Sequence, residues 1–311
     1  MKSMNDPILV TGAHRSGTTW AGRMLCAGGD AFYIHEPFNN VRRNGPAWVP
    51  RPFPFWFYSL SPADAEYERL LQNVVAMRYP LLPALASVRS PAHLGRAGRD
   101  WALSLLARAR RRRPLLKDPI ALFSAERLAE RFRMTVVVLI RHPAAFAASL
   151  KRLDWWFKFS NWLDQERLMR GDLAGYAEEI RRYVAGRKDL IDQAVLMWNC
   201  MYAVVERYRK DHPGWAFVRH EDLAADPPAR FPELYAHCGL AWNTAAEAAV
   251  RKYSQSPDAR PLTAARPTDI RRESRNTVSA WKRILTAEEI GRIRAGTRAV
   301  ADALYEAKDW E

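Results

Sequence analysis

Cysteine is scarce and poorly placed for cross-linking. Cys26, Cys200 and Cys238 are the only three in 311 residues, and none forms a C-x-x-C pair. Their spacing suggests neither a zinc site nor a disulfide framework, and a reducing compartment fits. No uninterrupted apolar run approaches the ~20 residues of a membrane span. Residues 1–7 lead into an apolar strand without the hydrophobic region of a secretory signal. The expectation is a soluble, cytoplasmic protein. Internal repeats and metal-ligand clusters are also missing, so no metal is expected. Acid is the charge in short supply: 34 Asp and Glu stand against 48 Lys and Arg, leaving +14. That excess attracts polyanions, anionic membrane surfaces or highly charged small anions and does not choose among them. The densest cluster, Arg108 with Arg110, Arg111, Arg112 and Arg113, closes a segment of helical composition and reads as a solvated face ahead of a specific nucleic-acid site.

One lysine is missing where it matters. Ile8-Leu-Val-Thr-Gly-Ala-His-Arg-Ser-Gly-Thr-Thr-Trp20 is a short apolar run, a turn bounded by Gly12 and Gly17, and a helix-forming segment. This is the pattern of a phosphate-binding loop whose backbone amides curl around an anion at a helix N-terminus. The triphosphate loop G-x-x-x-x-G-K-[ST] requires lysine where this chain has Thr18, and its cation, Arg15, lies inside the loop.

Hydrophobic residues make up 48% of the chain, enough for a large core. Apolar runs alternate with helix-like segments, and the runs end in charge. Ala31–Ile34 enters His35-Glu36-Pro37, Pro114–Leu116 enters Lys117-Asp118-Pro119, Thr135–Ile140 enters Arg141-His142-Pro143, and Trp215–Val218 enters Arg219-His220-Glu221. Thr135–Ile140, the most strand-like run, is expected at the sheet centre. The fold class expected is α/β: a central, mostly parallel sheet flanked by helices, similar to P-loop nucleotide folds, with helical and irregular insertions. Open sheets of this kind place ligands at the carboxyl ends of their strands. Glu36 there is either functional or a loop carboxylate in an ion pair, and Arg141 with Ser149 is either an anion clasp or structural. Thr244 with Glu247 and Thr286 with Glu289 fit capping boxes. The aromatic stretches 48–58 and 154–162 are either packed core or the lining of a ligand groove.

Taken together, these motifs resemble the sulfotransferases that use 3′-phosphoadenosine 5′-phosphosulfate (PAPS), closer to the Golgi-type and bacterial carbohydrate enzymes than to the cytosolic phenol type. Ala13–Trp20 looks like the family's 5′-phosphosulfate loop and Val138–Ser149 like its 3′-phosphate motif, with further likeness at His35-Glu-Pro37, Leu116-Lys-Asp-Pro119, Val218–Leu223 and a late basic segment. The resemblance implies that Arg15, Ser16, Gly17, Thr18 and Thr19 hold the 5′-phosphate, that Trp20 contacts adenine, and that Arg141 and Ser149 clasp the 3′-phosphate. It also implies that Arg271, Arg272, Ser274 and Arg275 close over the nucleotide, with His220 a further cofactor contact. Glu36 is the expected base, with Arg15 and Lys117 on the transferring group; Asp118 and His35 are the other candidates. Asp118-Pro119 stands where cytosolic members commonly place a catalytic histidine.

The implied activity is in-line sulfuryl transfer to a hydroxyl, expected on a carbohydrate or glycolipid, without metal and without specific nucleic acid. Peripheral membrane contact is left open by the charge. The chain is read as one domain over 1–311, with 40–113 and 151–190 as acceptor-side insertions and 255–285 as a basic loop closing on the cofactor. A P-loop kinase or phosphotransferase and a non-enzymatic polyanion binder are the alternatives.

Overall fold

The alternation of apolar runs and amphipathic segments yields, among the described residues, five strands: β1 (Ile8–Gly12), β2 (Ala31–His35), β3 (Arg113–Lys117), β4 (Thr135–Ile140) and β5 (Ala216–Arg219). The structure, a computed structural model, describes residues 6–39, 45–186, 188–254 and 278–311. All five strands are parallel, in the order β2-β3-β1-β4-β5. The central place therefore belongs to β1, not to β4. Every residue of both strands is buried, and a continuous apolar run reports burial on both faces, not rank within the sheet.

The helices are α1 (Thr18–Leu25), α2 (Ala65–Val75), α3 (Leu81–Ala86), α4 (Pro91–Ala109), α5 (Ala125–Phe132), α6 (Pro143–Leu153), α7 (Ser160–Leu163), α8 (Glu166–Arg170), α9 (Ala177–Ala185), α10 (Leu190–Asp211), α11 (His220–Ala225), α12 (Pro227–Cys238), α13 (Thr244–Ser254) and α14 (Ala287–Ala301). The period of two divides the strands between two cores. Ile8, Val10, Leu115, Val137 and Leu139 pack with Ala21, Phe231 and Val250 of α1, α12 and α13. Leu9, Leu116, Val136 and Val138 face a larger core holding Phe146 of α6 and Trp198 and Tyr202 of α10.

Thr286 and Glu289 form the expected capping box at α14. At α13 the cap is instead Asn243, whose Oδ1 accepts from Ala246 N–H at 3.0 Å. Arg113 departs from the solvated reading of its cluster. It is buried and donates to the Asp6 carbonyl at 2.6 and 3.0 Å and to the carbonyls of Cys238 and Gly239, tying the start of β3 to the end of α12. The aromatic stretches are mostly core: Phe53, Phe57 and Trp162 are fully buried.

Candidate active site

Parallel strands bring all five carboxyl ends to one edge. His35 lies in register with Lys117, Gly12 with Leu139, and Ile140 with Arg219, so the residues that follow each strand share one rim. The loop after β1 needs unusual backbone geometry. Arg15 and Gly17 have φ of 67° and 92°, and a Cβ on Gly17 would come within 2.3 Å of His220 Nδ1. Gly17 caps α1 without a side-chain hydrogen bond, and the first turn holds no acid. The leading amides of α1 thus keep their affinity for an anion.

The loop after β1 and α6 meet across 134 residues: Arg15 Nε donates to Ser149 Oγ at 3.0 Å. Arg141 is held from its backbone outward. Its N–H donates to Tyr202 Oη at 2.8 Å and its carbonyl accepts from Trp198 Nε1 at 2.9 Å. The guanidinium lies 3.5 Å from Glu221, which Tyr305 steadies with a 3.0 Å hydrogen bond.

Glu36 adopts φ 47°, uncommon for a residue with a side chain. Its carboxylate accepts from buried Lys117 Nζ and, at 2.6 Å, from Asn39 Nδ2. Burial opposes its charge, but the Lys117 ammonium, nearby His35 and these hydrogen bonds prevail and hold the carboxyl at about 2. Asp118 behaves differently. Burial and then the Glu36 charge push it up to about 7, and its oxygens accept from Phe38 N–H at 2.6 Å and Ile120 N–H at 3.0 Å. These bonds aim Asp118 at the backbone, where it pins the segment after Glu36.

Arg15, Gly17, Thr18, Thr19, Trp20, Glu36, Lys117, Arg141, Ser149 and His220 all line one cavity of about 420 Å³. Among the described residues, the lining holds four cations, Arg15, Lys117, Arg141 and Arg152, and the carboxylate of Glu36. Ser16 is fully buried and is not among the residues that line this cavity. His35 borders a smaller neighbouring cavity that shares Glu36 as a wall. Arg271, Arg272, Ser274 and Arg275 lie outside the described residues.

Sequence reasoning missed His14. It is buried in the cavity wall, its ring 4.3 Å from Trp155, 5.0 Å from Phe146 and 5.6 Å from Phe57. Among the described residues neither ring nitrogen has a hydrogen-bond partner. Burial, then the Arg15 charge, lowers it to about 3, leaving a neutral imidazole. No spacing signal marks a single histidine in a turn. Trp56 and Trp155, whose rings lie 5.6 Å apart, complete this wall and are the parts of the two aromatic stretches that face the cavity.

A second neutral histidine makes a stability prediction. His142 stacks on Trp281 at 5.3 Å and meets Trp310 at 4.4 Å. Burial lowers it to about 3, against the pull of Asp309. Its folded value lies below the unfolded one, so its contribution is full above about pH 6.5 and is lost as pH falls toward 3. His142→Phe keeps the ring and removes that titration. In thermal melts it should lose about 2 kcal/mol less than the parent between about pH 7 and pH 5, and an unchanged difference would contradict the neutral imidazole.

A profile of the sulfotransferase family matches residues 7–244. A search of curated proteins found no significant match. Among solved structures, the fold is similar to a sulfotransferase domain from the curacin biosynthetic pathway, at TM-score 0.52 and 15% identity, covering 97% of this chain and 98% of the other. A sulfotransferase domain from the olefin synthase of Synechococcus PCC 7002 aligns at TM-score 0.49 and 16% identity, covering 98% of each chain. The family match makes this chain a group-transfer enzyme. The chain belongs to the sulfotransferase family.

Proposed function

We propose that this enzyme moves the sulfuryl group of PAPS, the donor the family implies, to a hydroxyl acceptor, and that Glu36 is the base. The supporting observation is the Arg15–Ser149 hydrogen bond, which joins the loop likened to a 5′-phosphosulfate site with the helix likened to a 3′-phosphate site. A nucleotide phosphorylated at both ends fits that arrangement, with four cations around the cavity and an uncapped helix N-terminus beneath it. PAPS brings an electrophilic sulfur on a phosphate leaving group, which calls for positioned donors more than for a metal.

In this reading the amides from Arg15 to Thr19 hold the 5′-phosphate, Trp20 borders the adenine, and Arg141 and Ser149 hold the 3′-phosphate beside His220. Arg15 and Lys117 neutralise charge on the departing oxygen and the sulfuryl oxygens. Lys117 also sets the timing. While it donates fully to Glu36 it keeps the carboxylate weakly basic; when it shares its protons with a sulfuryl oxygen, Glu36 becomes a stronger acceptor for the hydroxyl proton. Arg271, Arg272, Ser274 and Arg275 are assigned to closure over the nucleotide by resemblance alone.

The acceptor is read as a carbohydrate or glycolipid hydroxyl. Trp56 and Trp155 line the cavity and offer aromatic surface to the C–H face of a sugar, and neutral His14 hydrogen-bonds a hydroxyl. The chain is read as one catalytic unit in which 40–113 and 151–190 wall the acceptor side.

Calorimetry tests the nucleotide assignment. With chelator present, adenosine 3′,5′-bisphosphate (PAP), the product, should bind in preference to ATP. Ser149→Ala and Arg141→Ala should each weaken PAP about 10–100-fold and leave adenosine 5′-phosphosulfate nearly unchanged. A preference for ATP would favour the phosphotransferase alternative.

A further inference from the structure

Of the nine large hydrophobic side chains exposed among the described residues, seven lie between Leu82 and Leu106, on the α3–α4 hairpin. They form a face. In α4, Ala97, Ser104 and Ala107 are buried against the protein; about 90° round the helix from them Leu94, Trp101 and Leu105 fall in line at i, i+7 and i+11, with Leu106 about 100° further on, away from the buried side. Leu82, 79% exposed, extends the face onto α3. At 100° per residue Arg108 flanks this stripe on one side and Arg99 on the other. Between Leu81 and Arg112 the chain has seven arginines and one acid, Asp100, which pairs with Arg99 at 2.8 Å.

We infer that this face seats the enzyme on an anionic lipid bilayer, with α4 lying in the interface, its leucines and tryptophan among the acyl chains and its arginines among the head groups. Charge decides among occupants. A second copy would set arginine against arginine with only Asp100, already paired with Arg99, to answer it, and nucleic acid would leave the leucine stripe in water. An anionic bilayer satisfies both halves of the pattern. No helix among the described residues is long and apolar enough to cross a membrane, so the contact is one of lying on the surface. The buried side of the same hairpin leads toward the chemistry: Pro83, Ala84, Ser87 and Asp100 wall the smaller cavity that shares Glu36 with the main one. Resting on the acceptor reading above, this placement favours a lipid-linked hydroxyl over a free sugar.

The test is sedimentation of the full chain with vesicles of phosphatidylcholine alone and of phosphatidylcholine mixed equally with phosphatidylserine, without donor or acceptor. Its failure is therefore distinct from failure of the acceptor assignment. The protein should bind the phosphatidylserine vesicles preferentially. Leu94→Glu with Trp101→Glu should weaken that binding at least about tenfold, and Arg108→Gln and Arg111→Gln about fivefold each, on anionic vesicles only. Melting temperatures should be unchanged because these side chains are exposed; if the first pair fails to fold, Leu82→Glu repeats the test. The inference is overturned if the parent does not sediment, if the Leu94 and Trp101 changes leave binding intact, or if the chain ignores vesicles and forms a dimer that those changes dissociate.

Discussion

Glu36→Gln slows single-turnover sulfuryl transfer by about 10²–10⁴-fold, the range for loss of general-base help, while PAP affinity stays within a few-fold. Glutamine keeps the size and an oxygen for Asn39 but cannot take the acceptor's proton. It also leaves the Lys117 ammonium, 1% exposed, without its carboxylate, and breaking a buried pair from one side costs about 3–5 kcal/mol. Rate and stability must therefore be read apart. Glu36→Gln combined with Lys117→Met removes the stranded charge, and its melting temperature should recover while its rate stays low. Near-normal transfer by a folded Glu36→Gln protein would move the base to another residue.

Gly17→Ala should lower PAP affinity by about two orders of magnitude or more. The left-handed backbone costs a residue with a Cβ about 1–2 kcal/mol, and the added carbon would lie 2.3 Å from His220 Nδ1. His220 cannot retreat easily, since it is buried and Trp20 packs edge-on against it at 5.7 Å. The loop must give instead, and a loop that moves misdirects the amides of α1 by more than a hydrogen bond tolerates. Adding His220→Ala removes the clash and keeps the backbone strain, so it should restore part of the affinity. Calorimetry decides, and a PAP affinity within threefold of the parent would show that the loop does not hold the nucleotide.

What could be read beforehand depended on whether the information was local. Thr135–Ile140 carries its own period and boundaries, and the structure places the strand where the pattern does. The charged strand ends were legible for the same reason: Lys117 and Arg141 directly follow an apolar run, and Glu36 and His220 come one residue later. Their convergence needed the parallel sheet. Arg113 was misjudged because its partners lie elsewhere in the chain, at Asp6 and Cys238. The aromatic stretches hid a division that only packing reveals, with Trp56 and Trp155 turned to the cavity and Phe53, Phe57 and Trp162 to the core. His14 had no signal at all, since one histidine in a turn looks the same exposed or enclosed.

The backbone at position 36 has an evolutionary consequence. At φ 47° a glycine would sit without penalty, and asparagine or aspartate more comfortably than glutamate. Neutral drift under selection for folding alone would wear this position toward those residues. A glutamate that persists there marks selection on what its carboxylate does, and descendants that abandon the chemistry should be recognisable by a glycine or asparagine in its place.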